Sequence, residues 1–332
     1  MILAGDIGGT KTTLALYADD GSPASPLHIQ RLASRDFPDI FAVIDLFLSN
    51  KRIGIQKTCF GVAGPIFNQR CSTTNLPWMV DAEKIKSRYK INTVRLLNDL
   101  EATAYGTLAL AQDALVLLNT ETDALPRSAS GNQAVIAPGT GLGEALLYWD
   151  GARYLPSPSE GGHSDFAPRN SAEIALLEYL LQKHRHVSYE RVLSGAGLYA
   201  IYQFMKDGGY GDEPPWIAER LDSEDPAAVI SELALTGTSE LCTLALDLFI
   251  SILGAEAGNL ALKSLATGGI YLGGGIAPKI LSRLKDGGFM KAFLHKGRFS
   301  SLLNTIPVRV ILDPNTALYG AAQFAASMPA PL

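Results

Sequence analysis

Two turns in this chain carry the residue types that grip phosphate, Gly5-Asp6-Ile7-Gly8-Gly9-Thr10 and Gly139-Thr140-Gly141-Leu142-Gly143. Tight turns of this kind expose consecutive backbone N–H groups, and glycine permits both the close approach of an anion and the positive φ they require. Either one alone reads equally well as an ordinary β-hairpin turn. Asp6, at the mouth of the first, would repel phosphate unless a cation lay between them, which marks it for magnesium held through water. A third cluster, Gly273-Gly274-Gly275, ends an apolar run; its bare backbone would admit a flat adenine ring or simply make a β–α turn. Two commoner nucleotide motifs are excluded. A Walker A loop needs Gly directly before Lys, whereas Thr10 precedes Lys11. GAGLYA at 195–200 matches a loose dinucleotide pattern, but no strand with a ribose-binding acid follows, so it reads as a helix start capped by Ser194.

The elements that must hold these turns repeat. Ile2–Gly21 and Val135–Gly151 each read as apolar strand, Gly-Thr turn, return strand ending LALY or LLYW, then an acidic-Gly turn at Asp19-Asp20-Gly21 or Asp150-Gly151. This is an internal duplication, and two such hairpins facing one another across a cleft would hold a phosphate chain from both sides. Elsewhere short β-branched runs alternate with amphipathic stretches, which predicts an α/β fold with mixed sheets of parallel and hairpin-linked strands. A chain of 332 residues that is 47% apolar can supply two domains. With 18% charged residues and a net charge of −5, no electrostatic footprint for nucleic acid or an anionic membrane is expected. Cys59, Cys71 and Cys242 form no CxxC pair, so neither a disulfide framework nor a zinc knuckle is encoded. The opening MILAGDIGG lacks a basic or apolar leader, and no uninterrupted apolar run reaches membrane-spanning length. A cytoplasmic protein acting on small molecules is the expectation.

DIGGTKT, LLNDLEA at 96–102, PGTGLG, EGGHSDFAP at 160–168 and SYERVLSG at 188–195 occur in that order across most of the chain. Together they resemble the bacterial glucokinase family, with EGGH and NDLEA the more specific segments. The resemblance implies a two-domain fold of the hexokinase and actin-like ATPase (ribonuclease H-like) kind, with magnesium ATP phosphorylating the 6-hydroxyl of glucose. The related ROK kinases carry a cysteine-rich zinc motif after their EGGH-like stretch. Here Ser164, Asp165 and Phe166 lead to no cysteine before Cys242, so no zinc is expected.

Phosphoryl transfer to a hydroxyl needs a proton acceptor and charge stabilisation rather than covalent work by the protein. Asp99 follows the apolar strand Val94–Leu97 and precedes a helical segment, which places its carboxylate at a strand end. In isolation Asn98 or Asp99 would equally well cap that helix; the family likeness makes Asp99 the expected base. Sugar hydroxyls call for acidic and amide acceptors, supplied by Asn98, Asp99, Glu160, His163 and Glu190. The two glycines of EGGH let Glu160 and His163 converge on one ligand. Asn75, in TNLPW, is a further sugar contact unless Pro77 and Trp78 mark a structural loop, and His184 and His186 in KHRH read as a solvated helix end. ATP falls to Gly5, Asp6, Ile7, Gly8, Gly9, Thr10, Gly139, Thr140 and Gly141, with Gly273, Gly274 and Gly275 at adenine.

A small domain is expected over 1–112 and 313–332, holding the first hairpin and Asp99, with a large domain over 113–312 holding the second hairpin, the sugar loop and the adenine loop. The tail Asp313–Met328 reads as an Asn- or Asp-capped helix whose Ala317, Gly320, Ala321 and Ala322 allow close packing. Domain closure over glucose would exclude water as a competing acceptor. The long amphipathic segment around Glu240–Leu262 is either core or the interface of an expected homodimer. Another hexose kinase of the same fold is the alternative, and two rival functions from other classes stay open with less support in the residues. A sugar-responsive transcription regulator would need a DNA-binding module ahead of a hairpin that begins at residue 5, and an actin-like ATPase would not need EGGH together with YERVLSG.

Overall fold

The computed structural model describes residues 1–18, 25–49, 53–73, 76–119 and 131–329. They divide into two compact units: Met1–Ala114 with Pro156–Pro158 and Asp313–Leu332, and Leu115–Leu155 with Ser159–Leu312.

In the first unit, β1 (Ile2–Ile7), β2 (Lys11–Tyr17) and β3 (His28–Ala33) form an antiparallel meander, followed by α1 (Ile40–Leu48) and β4 (Lys57–Val62). A small sheet of β5 (Ile66–Phe67), β6 (Arg70–Ser72) and β7 (Met79–Asp81) precedes α2 (Ala82–Tyr89), β8 (Thr93–Asn98) and α3 (Asp99–Thr107). The main sheet runs β3-β2-β1-β4-β8, with β1, β4 and β8 parallel. Strand side chains alternate between faces. One face buries Leu3, Ile7, Leu14 and Phe60 against Val43, Ile44 and Phe47 of α1. The other buries Ala4, Ala15, Cys59 and Leu97 against Ala102 of α3 and against Leu318, Ala321 and Ala325 from the C-terminal segment. With both faces covered, β4 is buried along its whole length, and Lys57 at its start is satisfied by donating to the Met328 carbonyl at 2.7 Å.

The second unit comprises β9 (Leu115–Leu117), β10 (Gln133–Pro138), β11 (Leu142–Trp149), the ends of β12 (Tyr154–Ser159, whose Pro156–Pro158 are counted with the first unit), α4 (Ser171–Leu181), α5 (Gly195–Asp207), α6 (Pro215–Ser223), α7 (Pro226–Leu235) and α8 (Glu240–Ser264). It continues with β13 (Gly269–Leu272), α9 (Leu281–Lys285), α10 (Gly288–Leu294), α11 (Ser300–Asn304) and β14 (Val308–Ile311). Its sheet runs β12-β11-β10-β13-β14-β9. Apart from the added edge strand β9, this repeats the first sheet strand for strand: an antiparallel hairpin whose first strand pairs in parallel with the next core strand. The duplication read from two hairpins thus extends to whole sheets. The turn at 19–21 lies outside the described residues; its counterpart is closed by Asp150 Oδ1, which accepts from the N–H groups of Ala152 and Arg153, both at 2.8 Å.

Among the described residues α8 alone is long and apolar enough to cross a membrane, but 72% of its apolar window is buried inside the protein. Leu246, Phe249, Ile250, Leu253 and Leu260 place it in the core of the second unit, as the first of the two readings of that segment has it. The final helix, α12 (Thr316–Ser327), returns to the first unit. Its start is set by an Asp313 turn in which Oδ1 accepts from Asn315 N–H at 2.8 Å, while the Asn315 side chain makes no cap bond.

Candidate active site

In the first unit, parallel pairing places the candidate residues Asp6, Asn98 and Asp99 at one edge. Asp6 of β1 lies opposite Gly61 of β4, and the next β4 residue, Val62, lies opposite Asn98 at the end of β8. Asp6 and Asp99 therefore stand at the carboxyl ends of two strands separated by β4, where ligands of open α/β sheets bind. Gly61 keeps that edge close-packed, because a Cβ there would lie 2.8 Å from the Ala102 methyl. Helix capping goes to Asn98, whose Oδ1 accepts from Leu100 N–H at 2.9 Å while its Nδ2 donates to Gly64 O at 3.3 Å. Asp99 Oδ1 also accepts from Leu100 N–H at 2.9 Å. Burial pushes the Asp6 carboxyl up to about 6, against the pull of Lys11 and Arg31. A carboxylate short of hydration is a natural partner for a hydrated cation.

The first hairpin turn is braced from a neighbouring segment. Buried Ser34 donates from Oγ to Gly8 O at 2.8 Å, its N–H bonds Thr10 O at 3.0 Å, and its hydroxyl pairs with Thr12 Oγ1 at 2.9 Å. Ser34 and Arg31 belong to no motif, and the sequence reading passed over both. Asn75 lies outside the described residues. Nearby Trp78 is structural, buried and donating from Nε1 to Phe37 O at 3.2 Å.

The second unit brings its predicted residues together around Leu142, the first residue after the second phosphate turn. Leu142 N–H donates to Glu190 Oε2 at 3.0 Å, and a Cβ on Gly162 would lie 3.0 Å from the Leu142 carbonyl carbon. The Glu160–His163 turn thus sits on the phosphate hairpin, and Glu190 is bonded to that hairpin's backbone as well as being a candidate sugar ligand. The EGGH and YERV segments are tied by Tyr189 N–H to Ser164 O and by Phe166 N–H to Val187 O, each 3.0 Å. Arg169, at the end of the EGGH segment, pairs with fully buried Glu173 at 2.5 Å and reaches Ser251 of α8 at 2.9 Å. Glu160 and His163 are both exposed, with Glu160 Oε2 and His163 Nε2 3.9 Å apart.

Gly139 O accepts from Gly195 N–H at 2.8 Å, at the start of α5 that Ser194 caps. The third glycine cluster adjoins the same hairpin. Gly273 N–H continues the ladder to Ile136 O at 2.9 Å, and Gly274, at φ 77°, passes so close to Pro138 that a Cβ would lie 3.0 Å from its carbonyl carbon. The space beside Gly275 is open for 4 Å. A cavity of about 370 Å³ is lined by His163, Lys183, His184, Arg185, His186 and Glu190, among others. The KHRH run, expected as a solvated helix end, therefore also borders two of the candidate sugar residues, and His186 is fixed by Asp165 at 2.7 Å.

A family model described as Glucokinase matches residues 3–328. Glucokinases of Trichormus variabilis and of Synechocystis sp. are each 42% identical to this chain, covering 99% of both chains in the first case, and 98% of this chain and 97% of the relative in the second. A crystal structure of glucokinase from an Antarctic psychrotroph superposes with a TM-score of 0.84 at 32% identity, covering 98% of this chain and 99% of that one. A ROK family glucokinase from Streptomyces griseus, in complex with glucose and AMPPNP, shares the fold at a TM-score of 0.65 and 18% identity. Matched along nearly its full length by sequence and by two-domain architecture, the chain belongs to the glucokinase family.

Proposed function

We propose a division of labour for the ATP-dependent phosphorylation of glucose that this family member carries out. Asp99 is the base: the 6-hydroxyl oxygen attacks the γ-phosphorus, its proton passes to the Asp99 carboxylate, and ADP leaves. Glu160, His163 and Glu190 hold the sugar hydroxyls, with Asn98 and Asp99 at the reacting end. The 5–10 and 139–141 hairpins hold the phosphates, and the 273–275 loop receives adenine. Asp6 would hold the magnesium of the nucleotide through water, and that ion would supply charge neutralisation on the phosphates. The small domain is 1–112 with 313–332 and the large domain 113–312. A cytoplasmic homodimer completes the proposal, to be tested by static light scattering of the purified chain.

The observation that carries this reading is the shared edge of β1 and β8, which sets Asp6 and Asp99 one strand apart at the carboxyl end of the sheet. Asp99→Asn keeps shape and hydrogen bonding but loses basicity, so kcat should fall by about two to four orders of magnitude. Glucose affinity by titration and the thermal midpoint should change little, because Asn98 already caps α3. A folded variant that binds glucose and turns over within a few-fold of wild type would remove Asp99 from the chemistry.

A further inference from the structure

Beneath the Glu160–His163 turn lies a carboxyl group that neither the sequence motifs nor the proposed chemistry uses. Glu144 of β11 is 3% exposed, and its Oε1 is buried with no hydrogen-bond partner among the described residues. The other end of the carboxyl abuts Gly161: a Cβ on Gly161 would fall 2.9 Å from Glu144 Cδ and closer still to Oε2. Gly161 also donates its N–H to Ser159 Oγ at 2.9 Å, so the turn is held between a serine and the Glu144 carboxyl. We propose that Glu144 is a positioning residue for glucose, setting the height and rigidity of the Glu160–His163 turn above it. This rests on the reading of that turn as the sugar loop.

The groups facing Glu144 explain why its charge matters. On α8, fully buried Glu256 repels it, while Lys263, 3.4 Å from Glu256 and mostly exposed, attracts it more weakly. On the turn itself Glu160 precedes Gly161 and His163 follows Gly162. Burial, then Glu256, push the Glu144 carboxyl up to about 7. Below that pH the neutral acid rests against Gly161. Above it the anion is driven from Glu256 toward water, and Gly161, packed on it without a side chain to give way, moves with it.

Glucose affinity should therefore weaken through neutral pH. The test measures KM for glucose, glucose affinity by titration, kcat and thermal midpoint from pH 6 to 8.5, for wild type, Glu144→Gln and Glu160→Gln. We expect the wild-type KM to rise by about fivefold over this range, the lower end of couplings between sites, with kcat at saturating glucose little changed. Glu144→Gln, a permanent mimic of the neutral acid, should hold a low and pH-independent KM, with a thermal midpoint equal to or above wild type at pH 8. A Glu144→Gln profile parallel to wild type, or a lowered midpoint with unaltered glucose affinity at every pH, would overturn the proposal. Glu160→Gln separates the two levels: if it leaves glucose affinity intact, the sugar-loop reading itself fails, whereas weakened binding in Glu160→Gln with no effect in Glu144→Gln refutes only the positioning role.

Discussion

Replacing Gly320 by Ala puts one methyl where α12 crosses α3. The added Cβ would lie 2.8 Å from the Ala102 carbonyl carbon, 2.5 Å from Gly106 N and closer still to Ala102 O. Carbon contacts are optimal near about 3.5–4.0 Å, so the helices must part by roughly 1 Å. The obstructing atoms are backbone, which cannot rotate away as a side chain can. Overpacking of this kind costs about 1–3 kcal/mol, the upper end applying where backbone must move, and the helix-propensity gain of Ala over Gly returns about 0.5–1 kcal/mol. The net loss of about 2 kcal/mol should lower the melting temperature of the first unit by roughly 5–10 °C. Activity should fall as well, because Ala102 lies in the first turn of the helix that begins at Asp99. A displacement near 1 Å at a reacting group costs on the order of a hundredfold in rate. Calorimetry and kcat for Gly320→Ala are to be compared with Gly288→Ala at the start of α10, where a Cβ meets nothing within 4 Å. A Gly320→Ala protein that melts at or above the wild-type temperature with unaltered kcat would refute the claim that this crossing positions Asp99.

Glucose should be preferred over galactose and fructose by kcat/KM, because acceptors such as Glu160 and Glu190 are left unpaired when their hydroxyl is inverted or absent; equal values for all three sugars in a coupled ADP-release assay would contradict this. Zinc chelators that spare magnesium should leave turnover intact, since Cys59, Cys71 and Cys242 are separate buried thiols, and a loss restored by zinc alone would count against it.

What was legible in the sequence was what local chemistry writes directly. The two phosphate hairpins announce themselves through glycine and flanking β-branched strands, and the strand end at Asn98 through an apolar run that stops at a capping residue. Ser34 was not legible, because its role comes from the register of β3 against β2, which brings Lys11 opposite Ala33 and so sets Ser34 against the hairpin turn. Nothing in the string LASRDF encodes that pairing. Glu190 is a candidate sugar residue by its motif, but its bond to Leu142 N–H spans 48 positions and depends on tertiary packing. Glu144 did leave a signal: a carboxylate inside the otherwise apolar strand LGEALLYW is costly to bury and invites a reason.

That reason bears on how the second unit joins its candidate sugar turn to its Gly-Thr hairpin. Leu142 offers its N–H to Glu190 and its carbonyl side to Gly162, so sugar turn and phosphate hairpin share one residue of backbone. Two positions further along the same strand, Glu144 supports Gly161. A strand paired through six residues to β10 cannot shift one of these contacts without the others. The precision demanded of a site that must bring a hydroxyl to a phosphorus is thereby drawn from a sheet rather than from loops, although Glu160, His163 and Glu190 all lie on connecting segments. The two glycines of EGGH serve packing as much as convergence: each is held against β11 where a Cβ would not fit, and the turn inherits the rigidity of the strand beneath it.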